Sequence, residues 1–136
     1  MQAFLRMRAR IVMLDAAFEA ILGTVLVLGD AFAHIDHRDF PDPATDVVIA
    51  VFGFGLIGLA VLLASLVSRE AVTDPLLRAL ASTNAVFAAI FAAWVLLADG
   101  FTDSGRVIVW VTVAGLALLA LMQFLELRRP ATGSRR

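Results

Sequence analysis

Asp15 and Glu19 stand four residues apart inside a long apolar run, so any helix formed there carries both on one face. A charged side chain at the centre of a bilayer costs roughly 2.5–3.5 kcal/mol on insertion scales, and such groups turn toward a partner or a wet cavity. Ser65, Asn84 and Gln123 are polar side chains in three further apolar runs. At 1.5 Å per residue, Glu19 lies roughly 13 Å beyond Arg10, Asn84 roughly 9 Å beyond Arg78, and Gln123 roughly 7 Å inside Arg128. These depths predict that Asp15, Glu19, Asn84, Gln123 and Ser65 converge in one half of a bundle.

Two acids so close in a dry place are expected to share a proton at neutral pH. A neutral acid beside an ionised one suits general acid and base catalysis. In that reading Asp15, Glu19 and Asn84 are the catalytic residues. Glu19 donates the proton, Asp15 is the base or stabilises a cation, and Asn84 and Gln123 orient the substrate. Gln123, Ser65, Gly23 and Ala88 are expected to line the substrate pocket. Isomerisation, cyclisation or epoxide opening of a lipophilic, terpenoid-like molecule would fit this chemistry. A second reading has no catalysis: the acids and amides satisfy one another within an accessory membrane subunit. Interhelical bonds of that kind average about 0.6 kcal/mol in one measured membrane protein.

The elements that hold these residues follow from composition. The chain has 136 residues, 61% hydrophobic and 17% charged. That balance predicts an all-α, polytopic membrane protein, a four-transmembrane-helix bundle with spans at about 11–29, 47–68, 76–98 and 107–127. Residues 1–129 form the one domain expected, and 130–136 a disordered cytoplasmic tail. Of the arginines, Arg6, Arg8, Arg10, Arg69, Arg78, Arg128, Arg129, Arg135 and Arg136 flank one side, and only Arg38 and Arg106 the other. The excess puts both termini in the cytoplasm. Arginine without any lysine, with many alanines, points to a bacterial protein of the inner membrane. A basic start before an apolar run ending Ala31-Phe32-Ala33 has the look of a signal peptide, but two acids within the run argue against cleavage.

Small and polar residues form a stripe on each span: Asp15, Glu19, Gly23, Leu26 and Asp30; Gly55, Gly58, Leu62, Ser65 and Arg69; Ala81, Ala85, Ala89 and Ala93, with Asn84, Ala88 and Ala92 beside them; Thr112, Gly115, Leu119, Gln123 and Glu126. Such stripes let helix backbones approach closely, so all four are expected to face inward. Short connections make spans two and three, and three and four, expected neighbours. Asp46, Asp74 and Asp103 read as N-caps, Pro75 as a first helical residue, and Gly29 and Gly100 as stops. Trp94 and Trp110 read as interfacial anchors. Glu70, Asp74 and Arg78 are spaced for a surface charge ladder, and Glu126 for snorkelling or pairing with Arg129.

The segment Glu19-Ala20-Ile21-Leu22-Gly23-Thr24, within a chain of this length and four spans, resembles the first-helix acid region of the small multidrug resistance family. The resemblance covers those six residues, and the later spans lack that family's aromatic, glycine and proline patterns. It implies a third function, proton-coupled export of lipophilic cations bound at Glu19 in a homodimer.

Elsewhere the sequence mostly excludes. Absent cysteine rules out disulfides, thiol redox chemistry and thiolate metal sites. No phosphate loop, nucleophile elbow or nucleic-acid patch appears, and no motif asks for a cofactor. His34, Asp36 and His37, with Asp39 and Asp42, are of the types that bind zinc or nickel, yet a solvated acidic loop accounts for them as well. Expected partners are membrane lipids, a lipophilic small molecule and a second copy of the chain, with no nucleic acid.

Overall fold

The computed structural model describes the backbone of residues 2–33, 37–41 and 46–129, and the side chains of 6–29, 38–41 and 46–129. Four helices fill it: α1 (Gln2–Ala33), α2 (Asp46–Ser68), α3 (Asp74–Leu97) and α4 (Asp103–Leu127), with one 3-10 turn at His37–Asp39. All four are long and apolar enough to cross a membrane. Their surfaces reverse the usual distribution. Ile21, Val47, Val51, Val61, Leu97 and Val111 are exposed, while Asp15, Glu19, Asn84, Gln123 and Glu126 are buried. An outer face of this kind belongs in hydrocarbon rather than water.

Local sequence explains most helix ends. Thr73 and Thr102 are the N-caps of α3 and α4, their hydroxyls accepting from the Leu76 and Gly105 amides. Asp74 and Asp103 therefore sit one residue later than expected, in the first turn, where a carboxylate suits the helix dipole. α1 runs past Gly29 to Ala33, since a glycine followed by helix formers permits an end without forcing one. α2 closes with the Ala71 amide on the Leu66 carbonyl (2.9 Å) and Glu70 at φ 55, a left-handed position.

α1 packs along α2, α3 along α4, and the two hairpins meet mainly through α1 and α4. The expectation that α2 and α3 lie side by side is corrected: their backbones approach little, and side chains such as Phe52 and Phe91 bridge them. One apolar cluster joins Val12, Ala16, Ala60, Leu63 and Leu77 at the arginine-rich end of the bundle. Another joins Phe40, Val95 and Val109 at the opposite end. There Phe40 sits against Trp94 and Phe101, and Thr102 hydrogen-bonds Asp39 through both its amide (3.3 Å) and its hydroxyl (2.5 Å). Trp94 is thus turned inward rather than serving as an anchor, while Trp110 is exposed.

Two of the four stripes face where expected. On α1, Asp15, Glu19 and Gly23 are buried, and on α4, Thr112, Leu119, Gln123 and Glu126 are. On α2 the stripe is wrong: Gly55, Gly58 and Leu62 are exposed, and Gly53, Ala60 and Leu63 face α1. On α3 the buried line is Leu77, Ala81, Asn84, Ala88 and Val95, while Ala85, Ala89 and Ala93 are exposed. A strict four-residue repeat drifts about 40° per step around a 3.6-residue helix, so it cannot hold one face for three turns.

Gly23 and Gly53 set the closest approach of α1 and α2. A Cβ at Gly23 would lie 2.6 Å from the Gly53 carbonyl oxygen and 3.1 Å from the Ile57 amide nitrogen, whereas one at Gly55 meets nothing within 4 Å. Gly23→Val should therefore lower unfolding stability in detergent micelles by about 1–3 kcal/mol, because two backbones must part. Gly55→Val should be close to neutral in the same melting experiment. Glu70→Gly should raise stability by up to about 1 kcal/mol, through relief of its left-handed backbone.

Candidate functional site

Asp15, on the second turn of the apolar part of α1, is 0% exposed and has one partner on each of two other helices. Its Oδ1 and Oδ2 accept from Asn84 Nδ2 of α3 at 3.1 and 3.3 Å. Its Oδ2 also accepts from Gln123 Nε2 of α4 at 2.8 Å. Asn84 Nδ2 further donates to Gln123 Oε1 at 3.2 Å, which closes a three-residue ring. Asn84 is 3% and Gln123 0% exposed. Helix formation alone cannot satisfy these side chains in hydrocarbon, and each fixes which way its helix is turned.

Glu19 is one turn further along α1 and 5% exposed. Its Oε2 is buried and accepts no hydrogen bond among the described residues. Glu19 therefore shares the layer's burial without sharing its bonds. Asp15 acts on it electrostatically across that single turn.

Two further ionisable groups are buried. Glu126 does pair with Arg129 (3.0 Å), but the glutamate is 1% exposed and does not snorkel, and its Oε1 is buried without a partner among the described residues. Its place on the inward stripe beside Gln123 was the available signal. Arg8 is buried and pairs with Asp74 of α3, so Asp74 belongs to a link between helices rather than to a ladder along α3.

The remaining expected pocket residues do not join the ring. Gly23 is spent on Gly53, Ala88 is buried on α3, and Ser65 is half-buried on α2 with no side-chain bond to the layer. The clearest cavity lies elsewhere, on the Phe40 side of the polar layer. It is half open, has a volume of about 210 Å³ and draws its walls from all four helices, among them Leu22, Leu26, Phe52, Phe91, Trp94 and Thr112. None of the seven residues expected at the site lines it. The Thr112 hydroxyl, the one hydroxyl in its wall, donates to the Ile108 carbonyl of its own helix (2.9 Å).

His34, Asp36 and Asp42 lie outside the described residues, as does the His37 side chain. Among the described residues no group of three or more His, Cys, Asp or Glu side chains can hold a metal. The tail from residue 130 also lies outside them. Set against known protein families, curated proteins and solved structures, the chain matches none.

The ring makes a specific energetic demand. Asn84→Leu leaves the Asp15 carboxylate with one amide donor and should lower stability by about 1–3 kcal/mol, as should Gln123→Leu. Combining Asp15→Leu, Asn84→Leu and Gln123→Leu removes charge and partners together, and should cost less than the sum of the two single changes. Unfolding in micelles, followed by circular dichroism, measures all four proteins.

Proposed function

We propose that this is a multi-pass inner-membrane protein of bacteria that binds a lipophilic small molecule in the cavity between its four helices. Both termini are assigned to the cytoplasm, because the arginines gather at the end of the bundle formed by the start of α1, the α2–α3 turn and the end of α4. The observation that carries the ligand reading is the cavity itself: an aromatic and aliphatic space within apolar helices, its one hydroxyl already bonded.

Volume narrows the class. An apolar cavity of about 150 Å³ takes up benzene, so about 210 Å³ suits a molecule somewhat larger, of monoterpene size, with at most one polar group. The seam between α2 and α3, bridged by side chains, offers such a molecule a way in from the bilayer. Conversion of the ligand by acid and base chemistry falls to Glu19 in this reading. Asp15 is occupied by two amides, while Glu19 shares a helix face with Leu22 and Leu26 of the cavity wall and retains an oxygen without a partner. Asn84 and Gln123 then hold Asp15 rather than a substrate.

The test uses Trp94, which lines the cavity, in a Trp110→Phe background so that it is the only tryptophan. Geraniol titrated into the micellar protein should shift Trp94 emission to saturation. Val109→Phe, which fills the cavity from α4, should abolish the saturable shift. An emission change that grows linearly and equally in both proteins would mean bulk partitioning and would end the ligand reading.

A further inference from the structure

We propose that Glu19 is a proton-binding site of the folded protein, carrying an exchangeable proton as a neutral carboxylic acid, and is therefore the carboxyl group that a hydrophobic carbodiimide modifies. This holds whether or not the cavity takes a ligand.

The argument starts from the contrast between two acids on one helix face. Asp15 receives N–H donors from two amides, Asn84 and Gln123, both of which turn their positive ends onto it. Each oxygen of Asp15 thus has at least one N–H donor to balance charge on it. Glu19 Oε2 has no donor among the described residues and is shut away from water. A carboxylate oxygen there would face hydrocarbon with nothing to balance its charge, whereas a carboxylic acid is neutral.

Charge accounting over the neighbouring elements leads the same way. On α1 the nearest titratable group is Asp15, of the same sign. α2 carries no charged residue between Asp46 and Arg69. On α3 the charged residues are Asp74, engaged by Arg8, and Arg78, which is exposed. On α4 Glu126 takes Arg129, and Arg106 is exposed at the far end. The buried cation of α1, Arg8, is eleven residues from Glu19, roughly 16 Å along the axis. Among the described residues no cation at the depth of the layer offsets a second negative charge, and a proton is the smallest group that can.

The reagent reports this directly. The O–H of a carboxylic acid adds across one C=N bond of dicyclohexylcarbodiimide: the proton goes to nitrogen and the oxygen to the central carbon, giving an O-acylurea. Migration of the acyl group from oxygen to nitrogen then gives a stable N-acylurea, with every atom retained and no leaving group. An ionised carboxylate lacks the proton that the first step needs.

The full-length chain, folded in micelles, is treated with dicyclohexylcarbodiimide, and intact-mass measurement and peptide mapping follow. One adduct per chain is expected, on Glu19. Its rate should fall about tenfold for each pH unit beyond the titration of the group, within a scan from about pH 5 to about pH 9. Glu19→Gln should remove the adduct, and Asp15→Asn should retain it on Glu19. Because the map of the unaltered protein locates the adduct, the proposal can be tested even if Glu19→Gln fails to fold. An adduct on Asp15 or Glu126 in preference to Glu19 would overturn it. So would a rate at Glu19 that ignores pH, or a Glu19 that stays unlabelled in the folded chain yet labels at acid pH after unfolding in dodecyl sulfate.

Discussion

Asp15 can occupy hydrocarbon only if something else hydrates it, and two amide side chains do so in place of water. Asn84 and Gln123 come from α3 and α4, so the carboxylate of α1 ties together three helices that have no hydrophobic drive to associate within lipid. The orientation of α3 and α4 follows. Once Asn84 faces the ring, Leu77, Ala81 and Ala88 must face inward with it, and Ala85, Ala89 and Ala93 are left outside. Once Gln123 does, Leu116, Leu119 and Glu126 accompany it. Each hydrogen bond is modest by itself, about 0.5–1.5 kcal/mol net, but leaving any member unpaired costs more than the bond contributes.

The layer also divides the interior in two. On the arginine-rich side, small and branched residues pack densely around Leu63 and Leu77, and Arg8 with Asp74 closes that end. On the other side the aromatic residues Phe40, Phe52, Phe91 and Trp94 stand further apart and leave space. The cavity of about 210 Å³ lies in this aromatic half. The proposed chemistry rests on the junction of these halves, where Glu19 stands between a saturated carboxylate and the apolar wall at Leu22.

Much of this was legible in the residues. Four apolar runs and their polar residues gave the helices and the joining of Asp15, Asn84 and Gln123, because burial cost depends on residue type and depth along a helix is simple arithmetic. What was not legible was rotation. α2 carries no polar residue that must be hidden, so only its fit to α1 at Gly23 and Gly53 decides which of its glycines face inward, and that fit is a property of two helices at once. The cavity was hidden for a related reason: no single segment encodes it, and its wall combines residues from all four helices with Phe40 from a connection. Arg8 and Asp74, separated by 66 positions, are an ion pair that only the tertiary arrangement could reveal.

The meeting of the hairpins through directional bonds, with little backbone packing between α2 and α3, constrains how the halves can move. Sliding by one helical turn, roughly 5 Å, would carry Asp15 past both amides at once and set it opposite alanine or leucine. Translation is therefore all or nothing. A rocking of one hairpin against the other about the ring as a fulcrum would, by contrast, keep both amides on the carboxylate.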